Sequence, residues 1–273
     1  MSVIDTPAVS LRSRAIYDVM RMLSRVRLAE PELLGLSAVI RPGDHVFDVG
    51  AAYGMYTFPL AHLVGADGSV HAFEPQPRQH QIMRALSRLM GVGHINITRS
   101  VLGAAQGEHL MLLPLRFGVP IHGHAHIADG TEHALTKQSA RTRRLLTPMV
   151  TIDSWCELHN VENVSFIKVD VEGFEPDVLI GAIRTITRYQ PSLLLEIEDR
   201  HTGRYGRGAN QFAEEVLDSW PDYSMYRWSG GSWTPTDRVR ASSRNYLFAT
   251  DEAFQRAEVV DRHQHANFRP STL

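Results

Sequence analysis

The chain has 273 residues, 43% hydrophobic and 21% charged, enough for one large α/β domain or two small ones. A net charge of −2 gives no global field to attract nucleic acid. No apolar run approaches the roughly 18 residues that cross a bilayer, and Asp5, Pro7 and Arg12 interrupt any signal-peptide core, so a cytoplasmic protein is expected.

Residues 11–29 set Leu11, Ala15, Ile16, Val19, Met22, Leu23 and Val26 at helical spacing among arginines. This predicts a basic amphipathic helix, packed on the domain or serving as a lid. Membrane-surface binding and a homodimer contact are the alternatives; a bilayer-inserted segment is not expected. Residues 1–43 therefore read as a helical extension.

From residue 44 the period changes. Short apolar runs at 45–49, 69–73, 95–101, 164–169 and 193–197 predict strands, and 56–64, 76–90 and 176–187 predict helices between them. Strands alternating with helices imply βαβ units and a mostly parallel sheet. Runs at 223–228 and 245–249 predict an antiparallel pair closing that sheet, before a polar tail at 251–273. The single cysteine, Cys156, excludes an internal disulfide and reads as a small buried residue.

Roughly sixty residues separate the third and fourth strands, against about 2–6 for an ordinary connection. An insertion over about 107–148 is expected there, with an extra strand at 110–115, and such insertions commonly carry substrate contacts. It holds His122, His124 and His126, which face one way if the segment is extended, and the basic Arg141, Arg143 and Arg144. The histidines could chelate a metal, touch a substrate or do neither; the arginines suit an anionic acceptor.

Asp48-Val49-Gly50-Ala51-Ala52-Tyr53-Gly54 follows the first strand and precedes a helix. Glycine lets the chain turn sharply and a ligand come close, and the helix start offers unpaired N–H groups. Glu74 ends the second strand, placed to accept hydrogen bonds from two ribose hydroxyls. The three-glycine fingerprint of pyrophosphate binding is missing, which points away from a dinucleotide and towards S-adenosylmethionine. Asp48, Gly50, Ala51, Tyr53, Gly54 and Glu74, with Ser100 and Val101 at the end of the third strand and Asp170 at the end of the fourth, are the expected cofactor contacts.

With Ile167-Lys168-Val169-Asp170-Val171-Glu172-Gly173-Phe174-Glu175 and Leu195-Glu196-Ile197, these motifs resemble the FkbM family of methyltransferases over residues 44–250. The resemblance implies a Rossmann-like class I methyltransferase fold, S-adenosylmethionine as donor, and O-methylation of a sugar, glycolipid or polyketide hydroxyl. One departure stands out, because the family usually has asparagine where this chain has Ala52.

Asp170, Glu196 and His201 are the candidate catalytic residues, since an alkyl hydroxyl needs help with its proton. Asp170 and Glu196 are also the candidate ligands for Mg²⁺. Glu172 and Glu175 are expected to favour the helix that follows them. A nicotinamide oxidoreductase and a non-catalytic cofactor-binding protein are the competing readings.

Overall fold

The computed structural model describes residues 11–116, 119–120, 126–127, 142–202, 206 and 208–255. Helix α1 (Leu11–Arg25) and a 3-10 segment (Pro31–Ala38) lead into β1 (His45–Val49), α2 (Thr57–Val64), β2 (Ser69–Phe73), α3 (Pro77–Met90) and β3 (Ile95–Thr98). A second group of strands follows: β4 (Val101–Leu102), β5 (Gly107–Arg116), β6 (Val119–Pro120), β7 (His126–Ile127) and β8 (Thr142–Val150). The chain returns through α4 (Ile152–His159), β9 (Val164–Val169), α5 (Glu175–Ile180), α6 (Ile183–Tyr189) and β10 (Ser192–Glu196). Helices α7 (Asp199–Thr202) and α8 (Ala209–Ser219) precede β11 (Ser224–Ser229), β12 (Ser232–Pro235) and β13 (Asn245–Ala249).

The main sheet runs β12-β11-β13-β10-β9-β1-β2-β3. Its centre is parallel and buried on both faces, as near-continuous apolar strands require. Phe47, Val49, Ile167, Val169, Leu193 and Leu195 pack on one face, and Val46, Phe166, Leu194 and Leu247 on the other. Each such side chain contributes about 1.5–3 kcal/mol on burial. Antiparallel β13 lies between β10 and β11, which separates this sheet from the all-parallel dinucleotide-binding order.

Local chemistry sets the ends of the elements. Pro77 opens α3 and Gly91, at φ 67°, closes it in the left-handed region. Thr151 and Ser154 exchange bonds in a capping box at the start of α4. Strand β1 pairs with β2 on one side and β9 on the other, so the chain reverses its winding between β1 and β9. Ligands bind at the carboxyl ends of strands beside such a reversal.

The structure departs from the sequence expectations in several places, and helices α4 and α8 were not expected at all. The strand expected at 95–101 stops at Thr98, and β4 resumes at Val101 in the smaller sheet, parallel to β8. The helix expected at 176–187 breaks into α5 and α6, because Gly181 packs against Gly103, whose carbonyl oxygen would lie 2.1 Å from a Cβ there. Much of the expected insertion is this smaller sheet, in which β5 pairs along its length with β8. Gly230 and Gly231, both at positive φ, close a two-residue hairpin that adds β12 beyond the expected pair.

Candidate functional site

The loop after β1 is shaped by contact with its neighbours. Gly50 has φ 83°, and a Cβ there would sit 1.9 Å from the Asp170 carbonyl oxygen at the end of β9. The Gly50 and Ala51 N–H groups both donate to the Phe73 carbonyl, at 3.1 and 3.0 Å. Ala52 also lies in the left-handed region, at φ 47°. Asparagine tolerates that conformation better than alanine, which gives the family's usual residue a backbone reason.

Glu74 ties this loop to the next. Its Oε2 accepts from the Ala52 N–H at 2.9 Å and its Oε1 from the Gln76 N–H at 2.8 Å. The side chain is buried, and burial raises its carboxyl to about 7 even though both backbone donors favour the charged form.

Between these loops and the smaller sheet lies a cavity of about 250 Å³. Gly50, Ala52 and Glu74 line it on one side; Val101, Leu102, Met111 and Phe174 supply apolar surface. Ser100 also lines it, and its buried Oγ has no hydrogen-bond partner among the described residues. An apolar slot with a carboxylate and an unpaired hydroxyl fits an adenosyl group: ring against the apolar wall, ribose at Glu74, a polar atom at Ser100.

Of the expected cofactor contacts, Gly50, Glu74, Ser100, Val101 and Asp170 line the cavity. Asp48, Ala51, Tyr53 and Gly54 do not, and each has another position. Asp48 is buried beside α2, accepting from Thr57 Oγ1 at 2.5 Å, and burial raises its carboxyl to about 6. Ala51 is buried in the core, and Tyr53 points outward with 40% of its surface exposed. At Gly54 the Phe58 ring fills the place of a side chain, 2.5 Å from a Cβ.

A charged network underlies the cavity's edge. Lys168 is buried, with Nζ 3.3 Å from Asp170 Oδ2, 3.0 Å from Asn245 Oδ1 and 5.1 Å from the centre of the Tyr56 ring. Asn245 Nδ2 donates to Glu30 Oε2 at 2.9 Å, and the Tyr56 hydroxyl donates to the same oxygen at 2.5 Å. Burial works to raise the Asp170 carboxyl, but the Lys168 ammonium, the hydrogen bonds from Glu196 and Lys168 and the charge of Arg244 together hold the group below its usual value. Glu196 moves the other way, raised first by burial and then by the charge and hydrogen bond of Asp170. The two neighbouring carboxyl groups are thus pushed in opposite directions. Arg244 bonds Glu196 and, at 3.0 Å, Glu198, which Arg200 also contacts.

The structure thus brings Asp170 and Glu196 together as expected, but their surroundings do not fit a Mg²⁺ site. Lys168 and Arg244 already supply positive charge to the two carboxylates. Among the described residues no three His, Cys, Asp or Glu side chains converge as metal ligands. His201 falls in α7, but its side chain lies outside the described residues, as do His122, His124 and Arg141. His126 is placed only as backbone in β7. Glu175, expected to favour the helix it opens, holds the loop before that helix, accepting from the Val171 and Gly173 N–H groups at 3.0 and 3.2 Å. The Cys156 thiol, pushed up to about 11 by burial, is not poised for nucleophilic work. Sequence reasoning missed Arg244, Leu102 and Phe174 in the cavity wall. Nothing local marks Arg244, 48 residues from its partner Glu196.

A winding reversal with a glycine loop after β1 and a buried acid at the end of β2 is a nucleoside-binding arrangement of an α/β sheet. Residues 48–223 match the Methyltransferase FkbM domain, and the chain belongs to that family. This sets aside the nicotinamide oxidoreductase. A curated relative, 31-O-demethyl-FK506 methyltransferase FkbM of Streptomyces tacrolimicus, is 28% identical over 165 residues, 52% of this chain and 60% of the relative. Among solved structures, a methyltransferase FkbM from Methylobacillus flagellatus KT is 17% identical with a TM-score of 0.49, over 77% of this chain and 48% of that one. A SAM-dependent methyltransferase from Aquifex aeolicus is 15% identical with a TM-score of 0.44, over 85% of this chain and 97% of that one.

Proposed function

We propose that the protein methylates a hydroxyl oxygen of a small molecule, with a sugar, glycolipid or polyketide as acceptor. The observation that carries this reading is the Asp170 carboxylate at the cavity's edge, 3.3 Å from the Lys168 ammonium. A carboxylate accepts a hydrogen bond from a hydroxyl and leaves an oxygen lone pair free to attack. An aliphatic amine in the same place would be held as an ammonium, which has no lone pair. The relative's name, which specifies an O-demethyl substrate, supports the same class.

When bound, S-adenosylmethionine supplies an activated methyl group on a sulfonium. Glu74 and Ser100 would hold its ribose and adenine ends, and Gly50 permits close approach of its chain. Asp170 orients the acceptor hydroxyl in line, a proximity effect. Its basicity is held down by Lys168, so it takes the hydroxyl proton only as the new O–C bond forms. Glu196 is pushed towards its protonated form, which lessens the repulsion of two neighbouring charges. Arg244 fixes Glu196 in that position.

The test is a panel of hydroxyl, amine and thiol acceptors, read by S-adenosylhomocysteine release and by NMR of the methylated atom. Turnover on hydroxyls is expected. Methylation confined to nitrogen or carbon would overturn the proposal.

A further inference from the structure

Helix α1 is oriented against the usual rule for a surface helix, which turns its most apolar stripe to the core. It packs on α2 and the 3-10 segment through Ser13, Tyr17 and Ser24, helped by half-buried Ile16 and Leu23. Tyr17 stacks on His62 of α2 at 4.3 Å, and Ser24 bonds its own helix. Leu11, Ala15, Val19, Met22 and Val26 are left facing outward. At 3.6 residues per turn these five fall within about 80° of arc, a continuous apolar line. Leu11 is 85% and Met22 66% exposed, which is not the scatter of single surface apolar residues.

Arginines border the line. Arg12 stands along one edge, and Arg14, Arg21 and Arg25 along the other, with exposed Arg27 just past the helix end. Asp18 is the one acidic residue of the helix. The patch continues onto α3, where Arg12 donates to the Leu89 carbonyl at 2.7 Å and the Leu89 side chain is 68% exposed.

We infer that this face docks on an anionic lipid surface, with the apolar line at the level of the acyl boundary and the arginines among the headgroups. Charge decides between the occupants. A second copy would set arginines against arginines, with only Asp18 to pair them. Anionic headgroups match both borders at once. Among the described residues no helix is long and apolar enough to cross a membrane, so the association is peripheral. The C-terminal end of α1 leads within a few residues to Glu30, which bonds Tyr56 and Asn245, and Asn245 in turn accepts from Lys168, the partner of Asp170. Docking would therefore act on a segment joined to the catalytic network.

The experiment uses the full chain and sedimentation with vesicles of phosphatidylcholine alone or mixed with phosphatidylglycerol. Binding is expected to the mixed vesicles and to weaken as salt is raised. The variants V19Q/M22Q/V26Q and R14Q/R25Q should each lower the partition coefficient about tenfold or more, with S-adenosylhomocysteine affinity unchanged as the check on folding. Absence of binding to the mixed vesicles would overturn the inference. So would binding that resists the apolar substitutions, since that is diffuse charge attraction. A lipid-free dimer that V19Q/M22Q/V26Q converts to monomer would give the stripe to a second copy and also overturn it.

Discussion

Replacing Glu74 by glutamine removes the titrating group of the donor pocket, and its consequence can be worked out in advance. Burial raises the free protein's carboxyl to about 7. Ribose hydroxyls donate to the ionised form, through charge-assisted bonds worth about 1.5–3 kcal/mol each. Bound S-adenosylhomocysteine therefore favours ionised Glu74, lowers its pKa and expels the proton. The sign follows directly. Below about pH 7 the ligand must ionise a protonated carboxyl, which costs about 1.4 kcal/mol per pH unit; above it that cost is absent. Affinity should tighten about tenfold between about pH 6 and about pH 8 and then level off. Calorimetric titration in two buffers of different ionisation heat counts the expelled proton. In Glu74→Gln the profile should be flat and the binding weaker throughout. A parent Kd constant over that range, or binding without proton release, would refute the placement of the ribose at Glu74.

Four further outcomes follow from the same geometry. Lys168→Met takes away the cation that keeps Asp170 ionised, so the acidic limb of the kcat–pH profile should move up by about 1–3 units; an unmoved limb would separate Lys168 from the chemistry. Gly50→Ala drives a Cβ into the Asp170 carbonyl at a positive φ, a loss of about 2–5 kcal/mol readable by denaturant unfolding. Ala52→Gly relieves a left-handed alanine and should stabilise by about 0.5–1 kcal/mol, and a lower midpoint would contradict the strain. Exhaustive chelation should leave turnover unchanged, since the two carboxylates already have side-chain cations; lost activity restored by Mg²⁺ would reverse that reading.

Part of the candidate cavity's lining was legible in the chain. Gly50, Glu74, Ser100, Val101 and Asp170 sit at or beside the ends of strands, and strand ends can be read from short apolar runs and the turns that follow them. Not every residue of the loop lines the cavity, for a local reason. Around a tight turn the side chains point in different directions, so Tyr53 faces outward while Gly54 is covered by Phe58. The helix break at Gly181 escaped detection because its cause, the backbone at Gly103, is far away in sequence.

Periodicity, glycine placement and the carboxylates at strand ends determined the fold class and the donor loop, because each is a property of a few neighbouring residues. The protonation pattern of the site was decided only by tertiary structure. Lys168 meets Asn245 across 77 residues, Arg244 meets Glu196 across 48, and Asn245 meets Glu30 across 215. The outward turn of α1 is of the same kind, since spacing defines the faces of a helix and its packing partners choose which one is buried. A pKa follows from charge and burial summed over everything within a few ångströms, and for Asp170 those neighbours come together only when β1, β9, β10 and β13 are laid side by side.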